Sequence, residues 1–116
     1  MSNSASQFAF APLGPTHLIA STNPAPTPVQ IRVRSGESTF GQYRVVNNSS
    51  FTCFLGVGGT AAQATARAAA IVAGTPSETI VLVPGAVEVL RLQPDGFFTS
   101  FSANPADVYI TPGQGL

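Results

Sequence analysis

Gly56-Val57-Gly58-Gly59-Thr60-Ala61 has the spacing G-x-G-x-x-A, behind an apolar stretch and ahead of an Ala-rich one, and Glu78 lies about twenty residues beyond it. In a dinucleotide site those glycines bring the backbone against a pyrophosphate seated on a helix N-terminus, between parallel strands. This chain offers a single candidate helix, and its strands read as hairpins. The better expectation is that the glycines let the chain leave a strand edge and enter the Ala-rich segment, with no cofactor bound. The loop has no Lys, so it is not a Walker-type phosphate site. Nucleophilic catalysis would need Cys53 or a Ser with His17, the one histidine. His17 follows a Pro-rich stretch and Cys53 falls in an apolar row, where a thiol is inert packing. One His and one Cys cannot complete a tetrahedral zinc set, and the acids stand singly instead of in an Asp-x-Asp loop. Paired carboxylates for glycoside hydrolysis would have to come from Glu78, Glu88, Asp95 or Asp107, which read as solvated turn or edge residues. Asn47-Asn48-Ser49 and Asn48-Ser49-Ser50 match the glycosylation sequon, which has no weight without a secretory signal. No catalytic, metal or cofactor residue is expected, and the chain reads as a non-enzyme.

The composition narrows the partners. Of 116 residues only 9% are charged, five Arg against five acids with no Lys, and the formal net charge is zero. Affinity for a phosphate backbone comes from clustered Lys and Arg, so nucleic acid is not an expected partner. Nor is a membrane: the first residues carry no basic region followed by an apolar run, and synthesis in the cytosol is the expectation. A lone Cys53 leaves no internal disulfide. With 44% hydrophobic residues and eight Phe, a folded core is expected. The surface must then be covered by Ser, Thr, Gly, Pro and Ala. A near-zero net charge favours association over a free monomer.

The elements that would position these residues are strands. Residues 1–28 hold five prolines (Pro12, Pro15, Pro24, Pro26, Pro28), which favour extended chain. Within that stretch Phe8, Phe10, Leu18 and Ile19 are apolar anchors. It reads either as an arm laid on another subunit or as a leader whose short edge strand folds back on its own domain. From Val29 the pattern is alternation with frequent turns. Val29, Ile31 and Val33 face away from Gln30, Arg32 and Arg34. Tyr43–Val46 and Phe51–Val57 form a hairpin across Asn47-Asn48-Ser49-Ser50, with Phe51, Cys53, Leu55 and Val57 on one face and Thr52, Phe54 and Gly56 on the other. Thr60–Ala73 is the one helix candidate, with capping-box spacing at Thr60 and Gln63 and a stop at Gly74; Gln63, Thr65 and Arg67 alternate with Ala at period two, so a loop or irregular strand is the other reading of part of it. Thr79–Val83 and Ala86–Leu92 turn at Pro84-Gly85, and Phe97–Ala103 pairs with Val108–Thr111. Six to eight strands joined by short links predict an all-β protein, an antiparallel β-sandwich for which jelly-roll topology is one arrangement. The expected division is an arm over 1–28 and a sandwich over 29–116.

Phe97 and Phe101 read as one core face and Phe98 as its outward neighbour. With Phe54, Phe98 is the expected intersubunit contact. The stretches Tyr43–Gly58, Leu82–Leu90, Phe97–Ala103 and Val108–Leu116, in this order and with the Ala-rich segment between the first two, resemble small β-rich virion proteins of tailed bacteriophages. The resemblance covers residues 42–116. It implies a capsid decoration or cement protein, with the major capsid protein and copies of itself as partners. A trimer or dimer on the virion follows, and no active site. The contact candidates are Phe8, Phe10, Leu18, Ile19, Phe54 and Phe98. A neck, tail or head-fibre component is the nearest alternative, and a carbohydrate-binding β-sandwich module the alternative from another class.

Overall fold

The computed structural model describes residues 10–32 and 41–114. Along them run β1 (Ala11–Pro12), β2 (His17–Ser21), β3 (Val29–Gln30), β4 (Gln42–Asn47), β5 (Cys53–Gly58), α1 (Ala61–Arg67), β6 (Ile80–Leu82), β7 (Val87–Arg91), β8 (Phe97–Phe101) and β9 (Ala106–Gln114). They make two antiparallel sheets. In the first, β9 pairs with β1 and β2 on one side and with β4 on the other, and β7 lies outside β4. The second runs β3-β8-β5-β6.

Period-two alternation gives each sheet one apolar face, and the two faces share one core. Ile19, Tyr43, Val45, Ala106, Val108 and Ile110 come from the first sheet; Cys53, Leu55, Val57, Leu82 and Phe98 come from the second, with Ile31 just beyond β3. The Tyr43 and Phe98 rings meet across the sheets, centroids 4.8 Å apart and tilted at 58°, a geometry that aromatic quadrupoles favour. The Tyr43 hydroxyl donates to the Gln93 carbonyl at 3.1 Å.

The strand order is nested: β2 pairs with β9, β3 with β8, β4 with β7 and β5 with β6. Every consecutive pair from β2 onward therefore changes sheet except β5 and β6. The three hairpins expected over 43–57, 79–92 and 97–111 are instead corners that carry the chain across the core. A short polar link with Asn, Pro or Gly serves a corner as well as a hairpin. What decides is which neighbour buries each strand's apolar face.

Asn47 pins two of these corners. Fully buried at the end of β4, its Nδ2 donates to the carbonyls of Phe51 (2.8 Å), Leu82 (2.9 Å) and Val83 (3.1 Å), and its Oδ1 accepts from Ser49 Oγ at 2.6 Å. Its backbone also bonds Gly85 and Ala86. The β4–β5 and β6–β7 corners are thus tied by one amide. Its buried, fully used side chain cannot serve as a sequon acceptor.

Two further expectations change. The segment from Ala11 to Gln30 is integrated: β1 and β2 extend the first sheet against β9, and the chain then crosses so that β3 joins the second. Of the two readings of residues 1–28, the described part follows the one in which an edge strand folds back on its own domain. Phe98 faces inward with zero exposure, because β8 pairs Phe98 with Val57, a core-facing residue. A slip of one residue reverses a strand's faces, so Phe97 and Phe101 point away from the core. The inward positions after Phe98 are Ser100 and Ser102, both buried.

Candidate functional site

The glycine motif is explained by packing. Thr60 caps α1, its Oγ1 accepting from the Gln63 N–H at 3.2 Å, while Gln63 Oε1 accepts from the Gly59 N–H at 2.9 Å. The Thr60 half of the expected capping box is present, while the Gln63 side chain reaches back one residue further, to Gly59, so that this glycine's N–H is occupied by the protein itself. The helix is shorter than 60–73, ending at Arg67. It lies on the outer face of β5, where a Cβ on Gly56 would run into the Ala64 carbonyl and one on Gly58 into the Gln63 side chain. Arg67 fastens it, donating to the Val57 carbonyl at 2.8 Å and pairing with Glu78 at 2.7 Å. Glu78, the acid a dinucleotide reading would place on a ribose, holds the helix return.

The other chemical candidates do not converge. Cys53 is buried in the second sheet, while His17 pairs with Ile110 in the first. Asp95 occupies the Gln93–Gly96 turn with a left-handed φ of 52°, which Asp tolerates. Among the described residues, no three His, Cys, Asp or Glu side chains cluster, and no helix is long and apolar enough to cross a membrane. The Tyr43 hydroxyl is held above its ordinary pKa by burial, partly offset by backbone hydrogen bonding at the Asp95–Gly96 turn.

Of the contact candidates, Phe8 lies outside the described residues. Phe10 is half-buried, its ring against Gly113. Ile19 is buried in the core of its own chain, because β2 pairs it with Val108, so it cannot serve as an intersubunit anchor, and the same holds for Phe98. Leu18, its neighbour on β2, is about half exposed, at 53%, beside Tyr109. Phe54 faces away from the core, as its alternation predicts.

Two outer surfaces emerge. On the second sheet, Val81, Phe54 and Phe101 stand directly opposite one another across β6, β5 and β8. The two rings lie 6.0 Å apart, Val81 is 44% exposed, and Val83 follows on the same side. This apolar row begins where the cover of α1 ends. On the first sheet, Thr16, Arg44, Val46, Asn48, Tyr109 and Thr111 line a shallow depression of about 400 Å³. Arg44 stands opposite Thr111, and Val46 opposite Tyr109. The Thr16 and Thr111 hydroxyls bond each other at 2.7 Å. Sequence reasoning did not single out this group. Alternation puts Arg44 outside Tyr43 and Val45, and Tyr109 outside Val108 and Ile110, but nothing local says that β4 and β9 are neighbours.

No family model, curated protein or solved structure matches the chain.

Proposed function

We propose that the chain is a non-enzymatic virion structural protein, a capsid decoration or cement protein that binds the major capsid protein of a phage head. The observation that carries this reading is the outward row Val81–Phe54–Phe101 on a chain of zero net charge. Aromatic and branched apolar side chains grouped on a sheet face are the material of a protein contact. With few charges around them, they favour association through short-range packing that salt does not screen. The finer architecture we assign is a jelly-roll sandwich. In its support, the nested pairing of β2 to β9 is the order produced when one long antiparallel ribbon is wrapped into two four-stranded sheets, an architecture that viral capsid domains use, with β1 added to the first sheet beside β9.

In this reading the contact with the shell is made by the second sheet's outer face, with Leu18 as a separate apolar point on the other. Shell symmetry then brings copies of the chain together as trimers or dimers. Mass spectrometry and cryo-electron microscopy of purified particles test it. Many copies on the outside of the head are expected, and absence from particles would overturn the virion role. The double variant Phe54→Asp/Val81→Asp should retain the fold by circular dichroism while occupancy falls at least about tenfold, as loss of a hot spot produces. Unchanged occupancy would remove the assigned contact.

A further inference from the structure

We propose that the depression on the outer face of the first sheet is a binding site for an acidic saccharide residue, with the sugar carboxylate on Arg44 and a ring face on Tyr109. The cation comes first. Arg44 is exposed, and its guanidinium has no ion pair or side-chain hydrogen bond among the described residues. It stands in β4, a strand paired on both sides, so its backbone is fixed while its fork of donors is free. A planar guanidinium matches a carboxylate in bidentate fashion.

Around it lie groups suited to hydroxyls. The Asn48 side-chain amide supplies donors and an acceptor, and neither it nor the Tyr109 hydroxyl has a hydrogen-bond partner among the described residues. The Thr16–Thr111 hydroxyl pair has further donor and acceptor capacity. Val46 opposite Tyr109 gives an apolar floor for the C–H face of a sugar ring. Four of the six lining residues stand on β4 and β9, with Thr16 from the turn into β2 and Asn48 from the corner directly after β4, so the site rests on sheet instead of on a long loop.

The position selects the class of ligand. In the middle of a sheet the backbone N–H and C=O groups are already used between strands, so a peptide cannot dock there by adding a strand. One Arg in the depression, on a chain of zero net charge, cannot hold a polyphosphate backbone or an anionic bilayer. A volume of about 400 Å³ is within the range for small ligands, and an open, shallow mouth suits one sugar of a longer glycan. The site faces away from the apolar row, so it stands independently of the virion reading.

The test titrates the full chain with N-acetylneuraminic acid, glucuronate and galacturonate oligosaccharides, and with the neutral parent sugars, followed by NMR. Acidic sugars should shift the amides of Arg44, Val46, Asn48, Tyr109 and Thr111 with a Kd on the order of millimolar. Neutral parents should bind at least about tenfold more weakly, as expected when an ionic hydrogen bond is lost. Arg44→Gln should weaken the acidic sugars to the level of the neutral ones, and Tyr109→Ala should weaken both. Arg91→Gln, on the same sheet outside the depression, should leave binding unchanged. Shifts absent at tens of millimolar, or equal for acidic and neutral sugars, would overturn the proposal. Binding to inorganic phosphate as tight as to the sugars would also overturn it, reducing the site to a bare anion contact. Particle occupancy of the Arg44 variant should stay at the wild-type level, so failure here leaves the capsid contact standing.

Discussion

The two outer faces of this protein are built from the same alternation and end up chemically opposed. On the first sheet, strands that send Tyr43, Val45, Val108 and Ile110 inward send Arg44, Val46, Tyr109 and Thr111 outward, and the result is a polar depression with an apolar floor. On the second, Leu55, Val57 and Phe98 go inward while Phe54, Val81 and Phe101 go outward. Gly56 and Gly58 between them admit a helix at backbone distance. One sheet shows its pleat to solvent; the other is half covered by α1 and half left apolar. The two faces are thereby suited to different kinds of contact. A row of Phe and Val is costly to leave in water and gains by packing against protein, whereas a free guanidinium among hydroxyls gains from a small polar anion.

The largest effects belong to the core that both faces share. Phe98→Ala should cost about 3–5 kcal/mol in denaturant unfolding, while Phe54→Ala, which removes a part-buried ring packed on Phe101, should cost about 1–2 kcal/mol. If the order were reversed, the inner and outer faces of the second sheet would have to be exchanged. Asn47→Ala should cost about 2–4 kcal/mol by the same measurement, since the buried Leu82 carbonyl and the part-buried Phe51 and Val83 carbonyls lose their donor. A smaller loss would mean that the two corners do not depend on that amide. Gly56→Val should cost about 1–3 kcal/mol by forcing α1 off β5. It should also raise the binding of a hydrophobic dye, because more of the second sheet's outer face is uncovered.

How much of this was legible in the sequence follows from which interactions are local. The β-rich class, the inward Cys53, Leu55 and Val57, the outward Phe54 and the Thr60 cap all rest on neighbours within a few residues, and they are where alternation and cap chemistry place them, whereas Phe51, read into the same inward row, precedes β5 and is 41% exposed. Phe98 was misread because three Phe in one strand outvote the register, whereas the structure buries the one Phe that meets Tyr43 and leaves Ser100 and Ser102 inside. Ile19 was read as an anchor for another subunit because prolines surround its strand. Its actual partner, Val108, is distant in sequence, and no local pattern encodes that pairing. The corners escape local patterns for the same reason, and so does the depression, whose residues come from three separate stretches, Thr16, Arg44–Asn48 and Tyr109–Thr111. Asn47 was read as turn chemistry because Asn tolerates such backbone. Its burial depends on carbonyls from a corner far along the chain.

A subtler comparison uses pH. Tyr43 is pushed above its ordinary pKa of 10.0 by burial, so above about pH 10 the unfolded chain gives up this proton while the folded chain keeps it. The unfolded state then binds fewer protons, and stability should fall as pH rises above that point until the raised folded pKa is reached. Tyr43→Phe should cost about 1 kcal/mol at neutral pH for the lost bond to Gln93, and it should flatten that alkaline decline. An unchanged decline would assign it to another group. Smallest of all, Arg44→Gln should change stability by less than about 0.5 kcal/mol, because the side chain is exposed and makes no bond within the described residues.

The most direct test of the division between the two faces is the density of the chain on purified particles. The Val81–Phe54–Phe101 row should be buried against the shell and the Arg44–Tyr109 depression open to solvent on the far side. Particles that hold the chain the other way round, with Arg44 buried and Phe54 in water, would contradict it.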